Sequence, residues 1–513
     1  MWGWRSGRTI ALGLAMAAFG LFCVLPLAYM IAVWLNGFGR EVSSYKDLLL
    51  DSRQRGLLVN TAVLGAGTAL TATLVGVPLG VALARVVLPV KSVLRILLAA
   101  PLLLPSYVSG LAWLHLGEAE WMHSLPSAVG ILTITLYPLS MLMTEAALRG
   151  VEPRLEEAAA LAARPGRVLW RITLPLVMPT VLAAALVIFV LAISDFAVPA
   201  LLRVRVFTTE IFTAFAALYD FVRATALAVP LLLVALCVAF VSVRLSGDRP
   251  VVTRRGLAGE LQVLDGWRPA AAGAVACVVI AALFLPIAIL TREARHISSW
   301  ASVVTGSGAA IRNSLTLAAV GATAVSALAF WLGYGRARAT RVAGMAADAL
   351  FIVLFAVPGT IVGVALIGLW NRAGVAGSIY ATNGMFVLVY LARFTPLAAL
   401  ALAASLRRVP SSHEEAAAVS GAGWFRTMAY IVIPQVKLGL LAVWVIVFTL
   451  SFGELGASVL VTPPGESTLP IRIYTLIANA PPAQVAALAL VQVAVIFCPL
   501  ALLGLGLSVG RRS

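Results

Sequence analysis

Long apolar runs separated by short polar segments fill the chain from end to end. Twelve runs stand out, at about 9–35, 58–84, 93–116, 128–148, 173–197, 224–244, 269–291, 313–334, 345–369, 384–405, 434–458 and 483–509. Each is about as long as a helix must be to cross a hydrocarbon core of roughly 30 Å. The short alternating segments that mark a transmembrane β-barrel are not seen. The pattern therefore predicts an all-α polytopic membrane protein with about twelve spans. The first run follows a basic start, "MWGWRSGR", as a secretory leader would. Its apolar stretch continues to Leu35 and no small-x-small cleavage site closes it, so it reads as a retained first helix.

The pattern also repeats. "VNTAVLGAGTALTATLVGVPLGVALAR" (59–85) parallels "RNSLTLAAVGATAVSALAFWLGYGRAR" (312–338). Asn60 matches Asn313 and Pro105 matches Pro358, both at an offset of 253. Six spans per half is an even number, so both halves insert the same way up. That places a pseudo-two-fold axis along the membrane normal and a pathway between the halves. The expected organisation is a first transmembrane domain over 1–245, a linker over 246–268 and a second transmembrane domain over 269–513. The linker, within "LSGDRPVVTRRGLAGELQVLDGWR", is polar and basic and contains Pro and Gly.

Composition sharpens this picture. The chain of 513 residues is 61% hydrophobic and only 11% charged, far below the roughly 25% of soluble domains. Its net charge of +16 suits polar loops held on the inner side of a membrane better than a nucleic-acid partner, since no Lys/Arg run reaches five residues. Most of the 37 Lys and Arg fall in segments that alternate onto one side when the N-terminus is placed inside. Both termini are then expected in the cytoplasm. Cys23, Cys237, Cys277 and Cys498 all lie in apolar runs without metal-site spacing, so they read as small buried hydrophobes. Nothing in the sequence asks for a cofactor or a resident metal.

Two polar inserts interrupt the apolar pattern at equivalent places, both on the inner side. The first is "EEAAALAARPGRVLWRITLP" (156–175) and the second "EEAAAVSGAGWFRTMAYIVIP" (414–434). In the second, Ser411 and Ser412 precede Glu414 and Glu415 at capping-box spacing. The acids lie in a first helical turn, where the macrodipole favours them. Gly421 and Gly423 supply a stop. In the first copy Pro153 suits the first helical position, and Pro165-Gly166 is expected to make the break. Each insert thus reads as a short helix, a bend and a second segment entering the membrane. An interfacial helix without a partner would explain one insert. Two matched ones suit a two-fold partner.

The second insert resembles the EAA signature of ABC-importer permeases: Glu415, Ala416, Ala417, then Gly421, then Ile431 and Pro434. The first matches through Glu157, Ala158, Ala159, Leu174 and Pro175, but is one residue shorter and lacks the Gly, for which Gly166 can stand in. The resemblance covers essentially the whole chain as two fused six-helix permease units of the type I importer plan. It implies that residues Glu156, Glu157, Ala158, Ala159, Gly166 and Pro175, with Glu414, Glu415, Ala416, Ala417, Gly421 and Pro434, dock a cytoplasmic ABC ATPase dimer. It also implies an extracytoplasmic solute-binding protein and residence in a bacterial inner membrane. The chain is then a transport subunit, not an enzyme. Its three lysines, Lys46, Lys91 and Lys437, bear on who hydrolyses ATP. None sits in a Gly-x-x-x-x-Gly-Lys-Ser/Thr phosphate loop, so hydrolysis is expected on another chain.

Ionisable residues inside spans usually face a cavity or a partner. Aligning Pro175 with Pro434 carries Asp195 onto Glu454, so each half places one carboxylate late in its fifth span. They read as acids on the substrate pathway, or as helix-end residues solvated at the outer interface. Arg393 and Asp348 are further charges in or near spans, readable as structural partners. "HLGEAEWMH" (115–123) gathers two His and two Glu in an outer loop, at no recognised metal-ligand spacing. "SDFAVPALL" and the block from 461 to 488 resemble ferric-iron permeases most. Permeases for thiamine, phosphonates, sugar phosphates or polyamines share the plan. An ion-coupled secondary transporter with twelve spans is the rival class. An intramembrane enzyme finds no His-Glu-x-x-His or Ser/Lys constellation.

Overall fold

The computed structural model describes residues 2–38, 52–116, 120–246, 265–297 and 300–509. Most of the expected linker, and Glu118 of the outer loop, lie outside these residues. Among the described residues there is no strand. The first half runs through α1 (Ser6–Asn36), α2 (Ser52–Arg85), α3 (Lys91–Leu103), α4 (Ser106–Leu114), α5 (Leu125–Arg149), α6 (Pro153–Ala160), α7 (Pro165–Ser194), α8 (Ala197–Leu201), α9 (Phe207–Phe212) and α10 (Phe221–Ser246). The second half repeats the order with α11 (Arg268–Ala294), α12 (Gly308–Ala337), α13 (Arg341–Phe355), α14 (Gly359–Trp370), α15 (Gly384–Leu406), α16 (Ser411–Val419), α17 (Trp424–Phe452), α18 (Ser458–Val461), α19 (Leu469–Ile477) and α20 (Pro482–Val509). Each helix of the first half thus corresponds to the one numbered ten higher. Two short helices, Trp300–Gly306 and Val375–Tyr380, fall outside this correspondence.

Among the described residues ten helices are long and apolar enough to span, and counting each of two bent pairs as one span brings the number to twelve. The bent pairs occupy the expected third and ninth spans, 93–116 and 345–369. Helices α3 and α4 meet at 88°, and α13 and α14 at 93°. The breaks fall at the matched prolines: Pro105 precedes α4 and Pro358 precedes α14, each with ψ near +135° to +140°. Proline has no N–H to continue the preceding ladder, so an apolar run can turn there without a polar residue.

Among the described residues four spans widen to a single π turn, at Gly20–Val24, Leu169–Thr173, Ile280–Phe284 and Met428–Val432. In all four, a proline follows at the second position of the resumed α-helix: Pro26, Pro175, Pro286 and Pro434. The wide turn takes the place of the hydrogen bond that proline cannot make. Helix contact in the first half relies on small residues, as lipid-embedded helices do. A Cβ on Gly76 or Gly80 of α2 would stand 2.7 Å from a backbone oxygen of α5, so these helices touch main chain to main chain.

The halves exchange their first helices. Helix α1 packs on α12, α14 and α15 of the second half, while α11 packs on α2, α3 and α4 of the first. The exchange puts both halves around one central seam, with α15 among the most enclosed spans.

Candidate functional site

The two inserts take up related but unequal shapes. Helix α16 begins at Ser411 and is preceded by Pro410, with no side-chain cap. The expected capping box therefore does not form, because Glu414 is turned inward. Its carboxylate accepts from Arg338 Nε at 2.9 Å and Nη2 at 2.5 Å, and from the Tyr334 hydroxyl at 2.7 Å. Glu156 makes the equivalent move in the first half. It accepts from Arg85 Nη2 at 2.7 Å and from the Thr173 hydroxyl at 2.9 Å. Both glutamates are buried, and both arginines sit at the end of the second span of their half.

Adjacent helical residues point about 100° apart, so each Glu-Glu pair is split. Glu157 and Glu415 are exposed, as are Ala158 and Ala416, while Ala159 is half-buried and Ala417 buried. The first acid of each pair holds the insert to the membrane domain. The second acid and the following alanine are left exposed. Of the residues that the resemblance assigns to docking, Glu156 and Glu414 are therefore turned into the membrane domain. The arginines that hold them were not singled out from the sequence. Their signal was an identical offset of 253 at the end of the repeated block.

The bends differ as well. Gly421 has φ of +80°, the left-handed conformation that stops α16. In the first insert the bend lies at 161–164, where no residue has positive φ. Pro165 and Gly166 open α7 instead of making the break. Gly166 is therefore not the counterpart of Gly421. The shorter insert reaches the same turn because α6 ends one residue earlier than α16. At the tips, Leu161 is 92% exposed and Val419 is 89% exposed, and they correspond at an offset of 258. Two large apolar side chains are thus held far out at equivalent points of a two-fold frame. Pro175 and Pro434 are exposed but act in the π turns described above.

Each insert is also touched by the opposite half. Phe425 and the buried Trp424 of α17 lie against Gly7 of α1, and Arg8 stacks 5.9 Å over the Tyr334 ring. Across the pseudo-axis, Trp267 approaches Gly166.

Asp195 and Glu454 follow the ends of α7 and α17 that lie away from the inserts. Neither is solvated as a free helix end. Asp195 Oδ1 accepts from the Val198 N–H at 2.8 Å, and Oδ2 from the Ser106 hydroxyl at 2.6 Å. Glu454 accepts from the N–H groups of Ala457 and Ser458, both at 2.8 Å, from the Ser458 hydroxyl, and from Arg393 Nη1 at 2.6 Å. Each carboxylate thus caps the short helix after its span; Asp195 also ties it to Ser106 at the break in the bent span, while Glu454 ties it to Arg393 of α15. The two halves use different chemistry for this. The first places Ser106 at the start of α4. The second has Gly359 there, and the room it leaves is filled by the Arg393 guanidinium, 2.7 Å from where a Cβ would stand. Arg393 is the structural partner of Glu454, and Asp348 pairs with Arg336 and Arg407. Around them Phe196 meets Tyr474 at 5.9 Å, Pro105 abuts Gly453, and the Tyr107 hydroxyl donates to Gln492 Oε1. Every one of these last contacts joins one half to the other. Among the described residues no group of three or more His, Cys, Asp or Glu is placed to hold a metal ion.

Comparison with known proteins follows this geometry closely. The model of the family "binding-protein-dependent transport system inner membrane component" matches twice, over residues 76–249 and 325–508. A Fe(3+)-transport system permease protein of Haemophilus influenzae, FbpB 2, is 25% identical over 483 residues, 90% of this chain and 92% of its own. A putative ferric transport system permease protein of the same organism, FbpB 1, is 23% identical over 89% of this chain and 77% of its own. A putative 2-aminoethylphosphonate transport system permease protein of Salmonella typhimurium, PhnV, is 29% identical over 45% of this chain and 92% of its own. A relative of one half's length thus aligns along nearly all of itself.

Proposed function

The chain belongs to the family of binding-protein-dependent transport system inner membrane components, as a fused pair of ABC-importer permease units, and from that premise we propose that it passes ferric iron into the cytoplasm. As a member it is a multi-pass inner-membrane transport subunit rather than an enzyme, and ATP is hydrolysed on a separate subunit. The observation that carries the mechanism is the pair of inserts. Glu157, Ala158 and Leu161, and Glu415, Ala416 and Val419, are presented on one side of the membrane by helices locked from within. We take that side as cytoplasmic, with both termini, and the ATPase dimer as the two-fold partner. An ATPase dimer that closes would bring the inserts together and rock the halves about the seam. The contacts around Asp195, Arg393 and Glu454 would then part to admit substrate from a binding protein on the outer side. We take 1–245 and 269–513 as the two domains, joined by 246–268, with α1 and α11 each moving with the opposite half on which it packs.

Ferric iron rests on the relatives that match along almost the whole chain. The phosphonate-permease relative matches one half, and a second reading, import of a phosphonate, rests on that match. Uptake by cells lacking their own importers, expressing this chain with its ATPase and binding protein, separates the two. Accumulation of labelled ferric iron that stops when ATP is depleted supports the first reading. Accumulation of labelled 2-aminoethylphosphonate without iron would replace it with the second.

A further inference from the structure

Helix α2 is held by side chains at both of its ends, and α12 repeats the arrangement. At the insert end stand the buried pair Arg85–Glu156 and the partly buried pair Arg338–Glu414. At the far end, Asn60 Nδ2 donates to the Arg205 carbonyl at 3.0 Å, and the Thr61 hydroxyl accepts from the N–H of Phe207, the first residue of α9, at 3.1 Å. In the second half, Asn313 Nδ2 donates to Glu466 Oε2 at 2.6 Å, and the Ser314 hydroxyl accepts from the N–H of Leu469, the first residue of α19, at 2.6 Å. The asparagine and the arginine are 25 residues apart in both halves, a helical rise of about 38 Å. One continuous helix therefore joins each insert to the opposite loop. Along the way the backbone of α2 rests on α5 through Gly76 and Gly80, so it is packed closely rather than free to bow.

We propose that α2 and α12 are the rods that carry the arrival of the binding protein to the ATPase, with Asn60, Thr61, Arg85 and their counterparts Asn313, Ser314 and Arg338 as positioning residues at the joints. The inference rests on the reading that the inserts dock an ATPase and the far loops face a binding protein. A shift of the loop at 205–207 or 466–469 pulls on the start of α9 or α19, moves the rod end, and reaches the insert through an ion pair. Mere intermediacy is not coupling, but these joints are specific, duplicated and removable.

The test uses the complex of the full chain with its ATPase in nanodiscs, with the loaded binding protein added. The readout is the ratio of stimulated to basal ATP hydrolysis. Three variants are compared: Asn313→Leu with Ser314→Ala at the far joint, Arg338→Met at the insert joint, and all three substitutions together. Each joint variant is expected to lower the ratio about tenfold, within the usual range of coupling between sites. Affinity for the binding protein and the amount of bound ATPase stay close to wild type. The combination is expected to be no worse than the worse single lesion, because a rod is cut once. Independent structural defects would multiply. An unchanged ratio in the joint variants, a multiplicative combination, or a loss explained by weaker docking would each overturn the proposal. Should Arg338→Met fail to accumulate, Glu414→Gln, which keeps the shape and removes the charge, is held to the same outcomes. A wild-type complex that shows no stimulation at all would instead sink the importer reading, and the rods with it.

Discussion

Neighbouring glutamates in each insert are expected to answer differently to the same substitution. Glu156→Ala removes the partner of Arg85 in a place where the two side chains are 2% and 4% exposed. A guanidinium left buried without its counter-ion costs about 3–5 kcal/mol. The Thr173 hydroxyl loses its acceptor at the same time. Glu414→Ala belongs at the lower end of that range, because the Arg338 side chain is 14% exposed and can turn toward water. Glu157→Ala and Glu415→Ala touch exposed side chains and should stay within about 0.5 kcal/mol. Thermal unfolding of the purified chain in detergent measures the difference. If each half unfolds as a unit, Glu156→Ala should lower Tm by roughly 6–10 °C, and Glu157→Ala hardly at all. Co-purification of the ATPase should reverse the order, with Glu157→Ala losing it from a well-folded chain. The combination Arg85→Met with Glu156→Leu should regain most of the lost stability, since an apolar pair of similar volume often replaces a buried ion pair at little cost. Equal shifts for Glu156→Ala and Glu157→Ala would refute the division of roles.

Three further outcomes follow from particular contacts. Gly421→Ala forces a Cβ into the left-handed region at φ +80° and should cost about 1–2 kcal/mol, whereas Gly166→Ala, in a helix, should be neutral or stabilising; urea or thermal titration of the two variants compares them. Gly359→Ser should displace Arg393 from Glu454, since its Cβ would meet the guanidinium at 2.7 Å, and should lower Tm. Adding Arg393→Thr and Glu454→Asp removes the guanidinium and sets a shorter carboxylate near the new serine, as Ser106 meets Asp195 in the first half, and should restore it. Leu161→Asp with Val419→Asp should leave Tm unchanged and abolish co-purification of the ATPase, because both side chains stand about nine-tenths exposed.

The spans were legible because hydropathy averaged over 20 residues reports burial in lipid, and the repeat was legible because both halves solve the same packing problem. The right-angled breaks before Pro105 and Pro358 were not, although both prolines had been matched. A chain can turn inside the membrane without any change in polarity, so no window average registers it. The inserts were found as helices with a bend, but the split of Glu156 from Glu157 depends on which face meets the end of α2, and that is tertiary. Arg85 and Arg338 were visible only as basic residues at span ends, where charge is expected anyway. Asp195 and Glu454 aligned by symmetry, yet one half uses Ser106 and the other Arg393 over a glycine. A missing side chain at Gly359 is informative only once the neighbour that fills its place is seen.

Transport by purified components tests the whole most directly. Proteoliposomes containing the chain and its ATPase, given ATP inside and a loaded binding protein outside, should accumulate labelled ferric iron. Those made without the ATPase, or with Leu161→Asp and Val419→Asp, should not. Accumulation by the chain alone, driven by an ion gradient in the absence of ATP, would contradict it.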